Sequence, residues 1–404
     1  MKGWFIQASR DSPTIPSKHV LRSILLISCW LLACSAGAVA PVSGRPNQLL
    51  GAFYYPWFGH YRHWNQSGLH PPATWASNFL PAALDNSDPA KALYDSNDTS
   101  VILWQLGKMR RAGLDFAISS WWGKGSYEDQ VLQKILNHVM PRPDNPFPQL
   151  KWSILYELEK FANPSADDIT RDLSYLKATF GESRSILRIH DKIVLFVSGS
   201  ADDQVEYTER WSEAASQVNG FYLVLKVFPG YSSVARMVDG WYEFAPTNRF
   251  ECDPYFWGYV SPGFSKYDEK TPRLSRDPND FAMALQRLRE SNAYFALIET
   301  WNDWNEGTQI EPGTDLVAGQ RYGDLYLDLV RKVMKEGLDV MPQQPTAQLG
   351  ILDMIVIVLL VIAPTTISLA AKREIRKRTS ADLNLRYTQA DDGLHMLSRE
   401  RFLE

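Results

Sequence analysis

Between Glu299 and Pro312 the chain reads Glu-Thr-Trp-Asn-Asp-Trp-Asn-Glu-Gly-Thr-Gln-Ile-Glu-Pro, which gathers the carboxylates of Glu299, Asp303, Glu306 and Glu311 into one short stretch. Cleaving a glycosidic bond takes two carboxyl groups, one to give a proton to the leaving oxygen and one to assist at the sugar. Asp303 and Glu306 are spaced so that one helical turn shows both to one side. An acidic pair by itself is more often a solvated loop. Here Trp301, Asn302 and Trp304 interleave with the acids, and tryptophans expected to stay exposed beside acids suit a sugar subsite.

Something must hold these residues at one place. The apolar run Tyr294–Glu299 leads directly into the acidic stretch and reads as a strand, as do Leu50–Tyr54, Asp115–Ser120, Trp152–Glu157, Lys192–Val197 and Phe221–Val227. Amphipathic, helix-like segments alternate with them: Thr99–Ala112, Glu128–Val139, Ala166–Thr179, Gln204–Gln217, Asp280–Glu290 and Arg321–Glu336. Such alternation implies a parallel sheet in an α/β fold. The turn after the first strand is Tyr55-Pro56-Trp57-Phe58-Gly59, not the Gly-rich turn of a doubly wound sheet, so a (β/α)8 TIM barrel is expected. Residues that follow each barrel strand meet at one mouth, and the unusual sequences of this chain sit there. The stretch from Pro229 to Pro278 yields no clear pattern.

The formal net charge of −4 comes from interspersed charges without a basic stripe, which excludes a nucleic-acid partner. Aromatic residues make up 12% of the chain, with 14 Trp, and many stand beside Gly or Pro, as in Tyr54-Tyr55-Pro56-Trp57 and Trp121-Trp122-Gly123. Large cores also use Trp, but this placement favours flat faces for sugar rings. The cysteines are Cys29, Cys34 and Cys252, too few to build an internal disulfide or a zinc cluster in the mature domain. His60, His63 and His70 share one loop without zinc-site partners, so neither metal nor cofactor is expected.

The acidic stretch resembles the motif of glycoside hydrolase family 99, the endo-α-mannosidases, which reads roughly W-N-E-W-H-E-G-T-Q-I-E. Phe53–Gly59 looks like the first-strand motif of that family and Ser120–Gly125 like its second, with looser echoes at Val238–Ala245 and Ser261–Phe264. The resemblance implies that Glu306 is the acid/base and that Asp303 is the base acting on the sugar's 2-hydroxyl. That hydroxyl attacks the anomeric carbon through an epoxide-like intermediate, with retention. The resemblance also implies that Glu159, where the family reads F-H-I-E-P-Y, is a substrate-binding carboxylate; the alternative is a salt-bridged glutamate at a strand end. Tyr54, Tyr55, Trp57, Trp121, Trp122, Tyr242, Trp301 and Trp304 are the aromatic candidates for sugar contact. Asp303 stands where the family has Glu and Asn305 where it has His.

The flanks read differently. Lys18, His19 and Arg22 precede an apolar run, Ser23 to Ala33, and small residues lead to cleavage after Ala38 or Ala40, so residues 1–40 are expected to be a signal peptide. Leu31-Leu32-Ala33-Cys34 also resembles a lipoprotein box. A barrel domain is expected over 41–340 and a linker over 341–348. A transmembrane helix is expected over 349–371 and a cytoplasmic tail over 372–404, because the uncharged run Met354–Ala371 meets Lys372, Arg373, Arg376, Lys377 and Arg378. The chain thus reads as a membrane-held, exported retaining glycosidase acting within α-linked mannoside glycans. The alternatives are a barrel glycosidase for another sugar, or a tethered sugar-binding protein with lost or weak catalysis.

Overall fold

Runs such as Leu49–Tyr54, Phe116–Trp121 and Lys192–Val197 are apolar on both faces, and a strand covered on both faces belongs in a parallel sheet. The computed structural model describes residues 48–59, 63–64, 77–82, 93–199, 204–227, 238–253, 255–266 and 269–338. All of them belong to one of the chain's two units, Met1–Pro342. The expected signal peptide, linker, membrane helix and tail lie outside the described residues, as do His60 and His70. Among the described residues no helix is long and apolar enough to cross a membrane.

The strands in chain order are β1 (Leu49–Tyr54), β2 (Phe79–Pro81), β3 (Phe116–Trp121), β4 (Lys151–Tyr156), β5 (Arg188–Ile189), β6 (Lys192–Val197) and β7 (Phe221–Lys226). They continue with β8 (Gly240–Tyr242), β9 (Phe250–Cys252), β10 (Trp257–Val260), β11 (Phe295–Ile298), β12 (Gly313–Asp315) and β13 (Gln320–Gly323). In the large sheet they lie in the order β8-β7-β6-β4-β3-β1-β11-β10-β9. Every pair from β8 to β10 is parallel; β9 runs antiparallel on β10, and β5, off this path, runs antiparallel on β6. β8 and β10 come into contact at the two ends of that parallel run, which curls the sheet into an α/β barrel-like fold. β2, β12 and β13 form a small antiparallel sheet.

Each connecting helix carries its own start and stop. Asp98 caps Thr99–Ala112 by accepting from the Ser100 amide, and Gly113 ends it at φ 75°, a left-handed conformation that a side chain would strain. Its Ile102, Leu106 and Met109 face the core, so Leu106→Ala would cost roughly 2–5 kcal/mol. Ser165 and Asp168 close a reciprocal capping box on Ala166–Phe180. Asp277 caps Pro278–Glu290, accepting from the amides of Asn279 and Asp280.

Two expected helices differ. Glu128–Val139 is an α-helix over Tyr127–Lys134 that widens to a π-turn over Ile135–Val139. Arg321–Glu336 begins as β13, pulled into a hairpin with β12, and becomes helical only at Leu325. The unparsed stretch from Pro229 to Pro278 holds β8, β9 and β10, strands of three or four residues, too short to display a period.

Candidate active site

The last barrel strand, β11, delivers Glu299 to the mouth, and the chain then folds back on itself. The Thr300 amide donates to the Thr308 carbonyl at 2.7 Å, Ile310 to Thr300 at 2.9 Å and Glu311 to Trp301 at 2.9 Å. Inside this loop the Asp303 amide donates to Thr300 Oγ1 at 2.8 Å, and the Glu306 amide donates to Asp303 Oδ1 at 3.1 Å. Residues 304–307 form a turn, so the helical presentation expected of Asp303 and Glu306 is replaced by one in which Asp303 itself caps the turn. Gly307 closes it at φ 68°, where a Cβ would come within 2.6 Å of the Phe79 ring and 2.8 Å of the Ser265 carbonyl. Only glycine fits there.

The two acids occupy different environments. Asp303 is buried, whereas Glu306 is partly exposed, its Oε1 3.4 Å from Lys266 Nζ. Burial first, and then the Glu306 charge, push Asp303 well above the usual carboxylate range, against the Glu306 amide and Lys266, which lower it. Burial thus favours the neutral form of Asp303.

Facing them are groups from other strand ends. Glu157 follows β4 and accepts from Ser120 Oγ at 3.0 Å; the Trp122 indole donates to that same Oγ at 2.9 Å. Burial raises Glu157, and Lys160, Ser120, Ser198 and Lys226 partly offset it. Lys226, at the end of β7, is pulled down to about 8 by burial and Lys160, and feels Glu299, Glu157 and Glu306. Glu299 is wholly buried, its carboxyl meets no side-chain donor among the described residues, and the Ala245 amide is the backbone group that favours its charged form. Burial holds it far above its ordinary range, with Lys226 the largest opposing influence. Tyr55 feels the charges of Glu157, Asp303 and Glu306, which places all three acids around one residue.

The expected contact residues divide. Trp57 is partly exposed, stacked between Tyr55 at 4.2 Å and His63 at 4.7 Å. Trp122 is partly exposed beside Phe161, ring centroids 4.9 Å apart. Tyr55 keeps 6% of its surface and Tyr242, whose hydroxyl donates to the Val197 carbonyl at 3.3 Å, keeps 1%.

Trp301 and Trp304, expected to be exposed, are fully buried. Trp301 joins the barrel core, and Trp304 packs with Phe58, Trp64, Phe79, Tyr94 and Val101 in a second cluster. Tyr54 and Trp121 are also core residues, tied to Gln105 at 2.9 Å and Asp129 at 2.8 Å. None of these four rings is exposed: Trp301 and Trp304 lie in a loop that folds back between two cores and spends its large apolar faces on packing, and Tyr54 and Trp121 end buried barrel strands.

Glu159 differs as well. It is 1% exposed, with Oε1 2.5 Å from Arg210 Nη2 and Oε2 accepting from the Trp211 indole at 2.8 Å. The salt-bridged alternative describes its contacts, and Glu157 is the carboxylate whose charge acts on Tyr55 together with those of Asp303 and Glu306. The signal for Glu157 was its position directly after the strand. Lys226 and Lys266 carry no signal in the sequence, because only the fold brings them to the acids of this stretch. Among the described residues no group of three or more His, Cys, Asp or Glu could hold a metal.

Known proteins share this architecture. The model of glycosyl hydrolase family 99 matches residues 46–251, half of the chain, and a domain of unknown function, DUF5010, matches 225–347, which includes the acidic loop. The glycoprotein endo-alpha-1,2-mannosidase of Mus musculus is 22% identical over 71% of this chain and 74% of its own length. A glycoprotein endo-alpha-1,2-mannosidase-like protein of Homo sapiens is 22% identical over 72% and 73%. The solved family 99 endo-alpha-mannosidase of Bacteroides thetaiotaomicron superposes with a TM-score of 0.56 at 20% identity, over 71% of this chain and 96% of that one. A solved glycoside hydrolase-like protein gives 0.50 at 14% identity, over 74% and 97%. The likeness in structure shows the fold, and the match of the family model over half the chain shows the lineage: this protein belongs to glycosyl hydrolase family 99 and is a glycoside hydrolase.

Proposed function

We propose that this glycoside hydrolase is a retaining, endo-acting α-mannosidase that cuts within mannoside glycans, using Asp303 and Glu306. The observation that carries the reading is the pair itself: two acids in the loop after the last barrel strand, one buried and one partly exposed, joined by the bond from the Glu306 amide to Asp303 Oδ1. The names of the relatives support the sugar.

In the proposed reaction Asp303 takes the proton of the sugar's 2-hydroxyl as O2 bonds to the anomeric carbon. Glu306 gives its proton to the departing glycosidic oxygen as that bond breaks. Water then opens the epoxide-like intermediate: Glu306 removes a proton from the attacking water, and Asp303 returns the first proton to O2. Two displacements at one carbon retain its configuration. This sequence needs Asp303 ionised, against the upward pull of burial on it. A glycan that separates Lys266 from Glu306 as it enters, and whose 2-hydroxyl donates to Asp303, favours that arrangement. Glu157 and Trp122, linked through Ser120, are the groups suited to hold the sugar in place.

Incubating the protein with α-1,2- and α-1,3-linked mannosides tests the reading, with product size read by mass spectrometry and anomeric configuration by NMR. Internal cleavage with retention is expected; inversion, or cleavage of another sugar alone, replaces it. We also propose that the enzyme is exported and held by residues 349–371, a reading supported by the basic cluster after Ala371. Protease treatment of sealed, right-side-out vesicles should digest the barrel and spare a C-terminal tag; the reverse pattern removes this topology.

A further inference from the structure

Glu311 ends the acidic loop, and the chemistry proposed above makes no use of it. It is wholly buried, yet its carboxylate is saturated with donors: Gln105 Nε2 donates to Oε1 at 2.7 Å, and Tyr94 Oη and Trp304 Nε1 donate to Oε2 at 2.8 and 2.9 Å. Burying a carboxylate is costly unless its lone pairs are met, and here three donors from three separate segments converge on it. Tyr94 Oη is also approached by Asn302 Nδ2 at 3.2 Å and Trp304 Nε1 at 3.3 Å. Asn302 in turn grips the Tyr55 backbone from both sides, accepting from its amide at 2.7 Å and donating to its carbonyl at 2.9 Å. Asn302 and Trp304 are the two chain neighbours of Asp303.

We infer that Glu311 is the positioning residue of this site: by holding Trp304 directly and Asn302 through Tyr94, it fixes the backbone on both sides of Asp303. The inference rests on the reading of Asp303 and Glu306 as the working acids. The geometry favours positioning over simple core filling for two reasons. An apolar core needs no acceptor-only group. The donors also form a continuous path, from Tyr54 through Gln105 to Glu311 and on to Tyr94, Asn302 and Tyr55. That path ties the first barrel strand and the helix Thr99–Ala112 to the loop that carries the acids.

The arrangement can be broken and rebuilt. In Glu311→Gln the side chain keeps its shape, but one of its two ends becomes a donor and faces Gln105 or the Trp304 and Tyr94 pair. Adding Gln105→Glu restores the pattern: the side-chain amide at position 311 donates to the new carboxylate at position 105 and accepts from Tyr94 and Trp304, while that carboxylate also accepts from Tyr54 Oη. Steady-state kinetics on an α-mannoside that the wild type cleaves, with thermal unfolding alongside, read the result. Since a misplacement of about 1 Å costs about 10²-fold, Glu311→Gln is expected to lower kcat by roughly 10- to 100-fold. KM should stay within about threefold, since ground-state binding is spared. The double variant is expected to regain most of the lost kcat.

If Glu311→Gln lowers the unfolding temperature but leaves kcat intact, the residue is structural only and the inference fails. If the double variant is folded but no faster than the single one, the charge at 311 matters and hydrogen-bond geometry does not, which also overturns it. Should Glu311→Gln not fold, Tyr94→Phe, which deletes one donor, decides: loss of kcat at constant KM supports the inference and an unchanged kcat ends it. Asp303→Asn separates the two levels. Full activity there refutes the underlying reading of the acids, and the inference with it, whereas loss there with an indifferent Glu311 refutes the positioning role alone.

Discussion

The backbone amide of Glu306 donates to the carboxylate of Asp303 at 3.1 Å, so the shorter acid caps the turn that presents the longer one. Family relatives are expected to carry Glu where this chain has Asp303, and the cap gives the shorter side chain a reason. An aspartate oxygen reaches the amide three residues on, as at a helix N-cap, and a glutamate is one carbon too long for that contact.

Asp303→Glu should therefore lose activity, by roughly the 10²-fold that about 1 Å of misplacement costs, because the cap and the carboxylate position are both disturbed. Measurement of kcat/KM on an α-mannoside checks this. A gain in the glutamate variant would show that the turn tolerates the longer side chain and that Asp303 is poorly set for that substrate.

Glu306→Gln should remove roughly 10²–10⁴-fold of kcat, the range of general acid–base assistance, with glycan affinity nearly unchanged. Isothermal titration with a mannoside and single-turnover kinetics separate the two effects. A loss below about tenfold, short of that range, takes the acid/base role away from Glu306.

Glu157 and Glu159 should behave oppositely. Glu157→Gln is expected to weaken kcat/KM while leaving the unfolding temperature nearly unchanged, since Ser120 can still donate to the amide oxygen. Glu159→Ala leaves the Trp211 indole without its acceptor and Arg210 with only the neutral Asn163 oxygen, and removing one partner of a buried pair costs about 3 kcal/mol. Its kinetics, measured below the unfolding temperature, should stay close to wild type. Thermal unfolding and steady-state kinetics on both variants give the comparison.

Stability should fall as pH rises from about 5 to 8, because several buried carboxyls bind their protons more tightly folded than unfolded. Glu157, Glu299 and Asp303 are all raised by burial, and Glu311 is pushed up to about 7 by burial despite its three donors. The sign follows directly. Below the ordinary carboxylate range both states are protonated and the contribution is complete. Above it the unfolded chain gives up protons that the fold retains, and the contribution is spent as pH passes the folded values. Lys226, lowered to about 8, acts in the other direction only at more alkaline pH, where the unfolded lysine still holds its proton. Unfolding temperatures measured across this range should decline, and the decline should be shallower in Glu311→Gln.

The strands were legible because their apolar runs are long, and Lys192–Val197 occupies the residues expected of it. β8, β9 and β10 were not, since three or four residues carry no measurable period. The acidic loop stood out by composition, but the exposure of its tryptophans did not follow from it. Whether Trp304 faces solvent or Tyr94 and Glu311 depends on partners more than two hundred residues away in one case and seven in the other. The resemblance points to Glu159 by its position in a motif, which carries no information on where the chain turns after Glu157. The helix Leu158–Ala162 begins between them and carries Glu159 toward Arg210, leaving Glu157 with Ser120.

The loop from Thr300 to Glu311 closes most of its backbone-to-backbone hydrogen bonds onto itself, and its outside ties include β1, the helix Thr99–Ala112, Ser77, Ser265, Tyr322 and Arg276, which donates to the Gly307 carbonyl. The reacting acids therefore travel as a cassette. Insertions and substitutions around the rest of the rim, at Trp57, Trp122 or Phe161, can reshape which glycan is admitted without retuning the chemistry, so a lineage built on this loop is free to diversify its diet while its reaction stays fixed.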